Sequence, residues 1–214
     1  MDTTTMPQGG LTRHPAAASA AGEMQVLHWQ AHPCWPVRHN AGRALAALRA
    51  GAGAVLLVRT GRQSLERRDG HALFPTDLSP SSLDSLRLAM RTLPRMRFTL
   101  LHGCRVGGAG SMRMAGVGDA TLDACRRRSE GAARAALWRF AAQLPAREVR
   151  PVLMVLREPW HAAVAAHAAM ARPDLLVLAY GGGLWAAWRW RARLRALLAR
   201  TECDLLLLPP ARAA

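Results

Sequence analysis

Two periods of apolar and polar residues run along most of this chain. His71 to Ala89 shows the change from one to the other. Ala72, Leu73 and Phe74 form a short apolar run of the kind a buried strand presents. Pro75 has no N–H to give and is expected to stop the ladder there. Ser79 suits a helix N-cap and Pro80 the first helical position, and Asp84 falls in the early turns, where the helix dipole favours an anion. Leu83, Leu86, Met90 and Leu93 then share one helical face. Asp77 is left at the carboxyl end of the strand beside a helix N-terminus, the place where open α/β sheets bind ligands.

The same alternation continues downstream. Phe98 to Gly103 reads as a second strand, Val106 to Gly118 as a loop rich in Gly and Met, and Thr121 to Gln143 as a long helix. Val149 to Leu156 is a third strand, and an Ala-rich helix from Pro159 to Ala171 stops before Pro173. Asp174 to Ala179 is a fourth strand, Gly181-Gly182-Gly183 a turn, Leu184 to Arg200 a helix, and Asp204 to Leu208 a last, very apolar strand. Five strands alternating with four helices predict an open, doubly wound parallel sheet with helices on both faces. Upstream, Met24 to Trp29 and Ala54 to Val58 are strand-like and flank an Ala/Leu/Arg helix from Asn40 to Ala50 that Gly51 and Gly53 close. This partial β-α-β unit cannot bury both faces by itself and has to dock on something. The predicted organisation is therefore a disordered leader (1–23), a partial unit with its polar linker (24–70) and a full domain (71–210).

Composition adds limits. The chain has 214 residues, half of them hydrophobic, and a net charge of +15 carried by Arg alone, since there is no Lys. A charge of that size attracts nucleic acid or anionic lipid non-specifically. Cys34, Cys104, Cys125 and Cys203 have no CxxC spacing, so a reducing, cytoplasmic setting is expected. No apolar run approaches the length of a transmembrane helix, and residues 1–22 lack the basic start and apolar centre of a signal peptide.

Leu73-Phe74-Pro75-Thr76-Asp77-Leu78-Ser79, with Ser82 and Ala89 following, resembles the opening of a universal stress protein (UspA) domain, which has a hydrophobic strand, Pro-x-Asp-x-Ser and an amphipathic helix. Pro173 to Leu178 is similar to the family's Asp-Leu-(Leu/Ile)-Val fourth strand, and Cys203 to Pro209 to its closing strand. The resemblance covers roughly 71–210 and implies the five-stranded universal stress protein fold. Residues 40–59 resemble the last helix and strand of another such domain, and Met24 to Trp29 the strand before it, as in a tandem protein whose first domain has eroded to its closing unit. Last strands pair across the dimer axis in this family. The resemblance therefore implies pairing through Leu205, Leu206, Leu207 and Leu208, with Val55 to Val58 as the partner inside one chain or with a second copy.

The family's ATP-binding branch holds phosphates on Gly-x-x-Gly-x9-Gly-(Ser/Thr) after the fourth strand, through backbone N–H groups and small residues at a helix N-terminus. Here Ala179 stands at the first glycine, Gly182 at the second and Ala192-Arg193 at the closing pair, with Trp185, Trp188 and Trp190 between. The motif is broken. Gly181, Gly182 and Gly183 either cradle an anion, with Arg193 meeting a phosphate, or form only a turn. Asp77 matches the family's nucleotide-contacting Asp and otherwise serves the adjacent helix N-terminus. The implied cofactor is none, or ATP held weakly.

Other candidates carry less. Gly107-Gly108-Ala109-Gly110 lacks the Lys-Ser/Thr of a phosphate loop, and His28, His32 and Cys34 fit no zinc spacing. The Arg- and Trp-rich helix 184–200 and Arg126-Arg127-Arg128 read as solvated basic faces or as a nucleic-acid grip. The expectation is a cytoplasmic, non-enzymatic stress-response binding protein with a degenerate nucleotide site. An ATP-binding protein with slow hydrolysis and a basic nucleic-acid-binding module are the alternatives.

Overall fold

The computed structural model describes residues 12–13, 24–29, 37–59, 70–105, 109–145, 149–156, 159–180 and 184–209. In chain order the elements are β1 (Thr12–Arg13), β2 (Met24–Trp29), α1 (Val37–Arg49), β3 (Ala54–Arg59), β4 (Gly70–Thr76), α2 (Pro80–Thr92) and β5 (Met96–Cys104). They continue with α3 (Ala109–Met114), α4 (Asp119–Ala141), β6 (Val149–Val155), α5 (Trp160–Ala171), β7 (Leu175–Ala179), α6 (Leu184–Arg200) and β8 (Asp204–Leu208).

All eight strands join one sheet in the order β1-β2-β3-β8-β7-β4-β5-β6. From β8 to β6 every pairing is parallel, which is the expected doubly wound five-stranded array. The central strands are apolar on both faces, and the period of two sorts them between two cores. Leu57, Leu73, Leu101, Leu176, Leu178, Leu205 and Leu207 face α1, α5 and α6. Leu56, Phe74, Phe98, Leu100, Val177, Leu206 and Leu208 face the side of α2 and α4.

The partial unit docks edge to edge. Strands β2 and β3 are parallel to each other, as a right-handed β-α-β crossover requires, and β3 runs antiparallel to β8 with Leu56 opposite Leu206. A two-fold axis through that pair, normal to the sheet, relates β2-α1-β3 to β7-α6-β8. It places α1 and α6 side by side on one face, in one core. At their contact a Cβ on Gly42 would lie 3.1 Å from Arg191 Nη2, so the glycine makes room for the guanidinium.

A polar seam crosses four strands at one end of the sheet. The buried Asp204 accepts from the Arg59 N–H through Oδ1 at 2.9 Å, and its own N–H donates to Asp174 O. Asp174 Oδ2 accepts from the His71 N–H at 2.9 Å, while its N–H donates to His71 O. Two strand-initial aspartates thus tie β3, β8, β7 and β4 where the ladders begin or end.

Several expectations need correction. The β4 strand runs through Pro75 to Thr76, with Pro75 opposite Leu101. Pairing of β4 with β7 ends at Leu73 and Leu176, so β4 has a ladder on one side only at Pro75, and a missing N–H is tolerated there. The expected loop 106–118 contains α3, whose Ala, Met and Arg are good helix formers. Asp84 falls beyond the first turn of α2, too deep to meet the dipole, and instead lies 3.5 Å from Arg87 with both side chains exposed. Within the leader, Thr12 and Arg13 pair antiparallel with β2. The rest of 1–23, the linker 60–69, His32 and Cys34 lie outside the described residues.

Leu57 is fully buried at the β3–β8 junction. Leu57→Ala is expected to lower stability by about 2–5 kcal/mol in denaturant melts, in the range of other buried leucine truncations.

Candidate functional site

The parallel array reverses its strand order between β7 and β4, and there the ladder is short. Only Ala72 with Leu175 and Leu73 with Leu176 are paired. Beyond them the carboxyl ends of β4 and β7 diverge and leave an open cleft of about 370 Å3.

One wall is the β4–α2 turn, built by short polar side chains. Leu78 takes a left-handed φ of 65°. Thr76 Oγ1 accepts from the Leu78 N–H at 3.0 Å and shares a hydrogen bond with the buried Ser82 Oγ at 2.9 Å. Asp77 Oδ1 accepts from the Ser79 N–H at 2.9 Å, and Ser79 Oγ caps α2 by accepting from the Ser82 N–H at 3.1 Å. From β5, His102 Nδ1 donates to the Thr76 carbonyl at 3.0 Å, with the ring in the cleft lining.

The opposite wall is aromatic and cationic. Tyr180 follows β7, buried, its N–H on Leu208 O at 3.0 Å. Trp190 of α6 meets Trp160 of α5 edge to face at 6.4 Å and Tyr180 at 6.1 Å. Arg193 lies over the Trp160 ring with Cζ 5.6 Å from its centroid, a cation–π contact. The cleft therefore offers hydroxyls and one carboxylate on one side, an imidazole at its floor, and stacked rings under a guanidinium on the other. That set suits binding of a flat or anionic group.

Of the residues singled out from sequence, Asp77, Ala179 and Arg193 meet in this cleft. Ala192 is exposed on α6 and does not line it. Gly181, Gly182 and Gly183 lie outside the described residues, as do the side chains of Trp185 and Trp188. Sequence reasoning missed Thr76, His102, Trp160 and Tyr180. Thr76, His102 and Tyr180 stand at or just past the carboxyl end of a strand, and Trp160 opens the helix after β6. The general position rule for α/β sheets would have selected all four. Among the described residues no group of His, Cys, Asp and Glu is arranged to hold a metal ion.

No protein-family model matches the chain, and no curated protein matches it. Among solved structures it is similar to a universal stress protein from Archaeoglobus fulgidus, with a TM-score of 0.55 at 9% identity, over 88% of this chain and 61% of that one. A functionally unknown protein from Pseudomonas aeruginosa PAO1 matches with a TM-score of 0.53 at 16% identity, over 86% and 63%. The chain has the universal stress protein fold. It spans less than two thirds of the length of these neighbours.

The hydroxyl network is a testable part of the turn. Thr76→Val leaves Ser82 Oγ buried without its partner and is expected to cost about 1–3 kcal/mol. Adding Ser82→Ala should cost less than the sum of the two single changes in a denaturant double-mutant cycle.

Proposed function

We propose that this chain is a non-enzymatic, cytoplasmic stress-response binding protein of the universal stress type, with a degenerate nucleotide site. The observation that carries this reading is the α6 wall of the cleft. Where the ATP-binding branch needs a small Gly-(Ser/Thr) pair against phosphate, this chain has an exposed Ala192 and an Arg193 engaged on Trp160. Trp190 fills the space between Trp160 and Tyr180. Asp77 keeps its place at the mouth, yet one carboxylate oxygen already serves the N-cap of α2. No helix among the described residues is long and apolar enough to cross a membrane.

Residues 24–59 are read as the closing β-α-β unit of a first domain and 70–209 as a second. The two-fold relation at Leu56 and Leu206 supports this. The partner of Leu205 to Leu208 is then the chain's own β3 rather than a second copy.

A thermal-shift titration with ATP and Mg2+ tests the site. A ligand at a hundred times its Kd stabilises by about 2.7 kcal/mol, so weak or absent binding gives little shift at millimolar ATP. A clear stabilisation abolished by Asp77→Ala would establish the ATP-binding alternative instead. In the same sample, salt-sensitive gel shifts with DNA of unrelated sequences would identify the +15 charge as the functional feature.

Light scattering tests the pairing. The full chain is expected to be monomeric, and a chain starting at Gly70 to self-associate through the bared edge of β8. A full chain that dimerises while β3 carries Leu56→Pro no more readily than the parent would contradict the assignment.

A further inference from the structure

A second cavity, of about 660 Å3, lies at the other end of the sheet, where β4, β5 and β6 begin. Its floor continues the α5-facing side of these strands. On that side Leu73, Leu101 and Val152 pack against α5, and one period earlier each strand turns polar. His71 comes from β4, Arg97 and Thr99 from β5, and Arg150 from β6. The register brings them together, with His71 opposite Arg97 and Thr99 opposite Arg150. His71 Nε2 and Thr99 Oγ1 share a hydrogen bond at 2.7 Å. Across the cavity, α5 contributes His167 and the small Ala171, and the small side chain leaves the space open.

Among the described residues, every charged or titratable group lining this cavity is basic: two guanidiniums and two imidazoles. Among the described residues, the carboxylate that acts on His71 is Asp174, just before β7; it is not in the lining, and its Oδ2 accepts from the His71 N–H. Arg172, Arg200 and Glu202 surround a separate cavity beyond Asp174. The carboxyl end of α5 adds a partial negative charge, which the two guanidiniums outweigh.

We propose that this amino-end cavity is a binding site for a small, multiply charged oxyanion of the phosphate type, held by Arg97 and Arg150 with His71 and His167 closing the charge. Guanidiniums present paired N–H donors to tetrahedral oxyanions, and an anion relieves the crowding of like charges. The site is independent of the cleft at Asp77 and uses none of its residues.

The two histidines make the site respond to pH. Burial lowers the His71 pKa, Asp174 raises it and Arg150 lowers it. Burial also lowers the His167 pKa, and His71 adds to that effect. Both rings are therefore largely neutral in the empty site near pH 7. A bound anion raises both values, so binding takes up protons and affinity rises as pH falls through the histidine range.

Isothermal titration of the full chain with inorganic pyrophosphate measures the affinity. Titration with sulfate, whose charge is constant across the range, measures the pH dependence. Sulfate is expected to bind about ten-fold or more tightly at about pH 6 than at about pH 8. Arg97→Gln and Arg150→Gln should each weaken pyrophosphate about ten-fold, while Arg126→Gln, an equal loss of charge on exposed α4, should not. His167→Gln should flatten the pH dependence and retain most affinity at the higher pH. Imidazole NMR signals of His71 and His167 should shift on saturation, which reports the site even if a variant folds poorly. No pyrophosphate binding at low salt, equal weakening by Arg126→Gln, or equally tight binding of succinate would overturn the proposal.

Discussion

The antiparallel contact of β3 with β8 is the constraint on which the architecture rests. Leu205 to Leu208 are at most 1% exposed, as are Val55 and Leu57 opposite them. Strands so apolar need cover on both faces and a neighbour on both edges, because a bare apolar edge recruits other chains. The β2-α1-β3 unit supplies β8 with an edge partner and supplies α6 with α1. In return β8 and α6 bury a unit that has only one helix of its own. Two half-solved burial problems complete each other, and the two-fold geometry at Leu56 and Leu206 is how they fit.

That junction also reaches the candidate site through α6. Leu194, Leu197 and Leu198 of this helix are in the core, Arg191 lies against Gly42 of α1, and Trp190 and Arg193 form a wall of the cleft. With 3.6 residues per turn, these six residues divide the helix among the core, α1 and the cleft. Gly42 leaves room for the exposed Arg191 guanidinium, while the buried leucines of α6 in the shared core hold the helix that carries Trp190.

The fold was readable because its signals are local and redundant. The run Ala72-Leu73-Phe74, the Ser79-Pro80 helix start and the Asp-Leu pairs opening the fourth and last strands each specify an element without reference to the others. The misreadings have one character. Pro75 reads as a ladder breaker because the sequence does not reveal that β7 has already parted from β4 there. The cleft was legible at Asp77, Ala179 and Arg193, where a motif could be compared position by position. Its aromatic wall was not, because Trp160, Tyr180 and Trp190 are joined only by the packing of α5 on α6. The amino-end cluster was invisible for the same reason, since His71, Arg97, Arg150 and His167 come from four separate elements.

The two ends of the sheet depart from expectation in opposite ways. At the carboxyl end an open cleft lies where the strands part, lined by hydroxyls, a carboxylate, aromatic rings and Arg193. Among the described residues the cation that lines the cleft is Arg193, which is exposed and sits over an indole ring in a cation–π contact. At the amino end no motif announces a site, yet among the described residues basic groups gather without a counter-charge in the lining. Parallel strands place their N–H-rich ends and the carboxyl ends of the covering helices together at that edge, so a fold of this type offers no helix dipole there to attract an anion. Side chains must supply the whole field. Arginine suits that task because it stays charged when half-buried, and histidine because it gains charge only when an anion or a lower pH favours it. A chain that draws all its surplus positive charge from Arg has the residue such an edge requires.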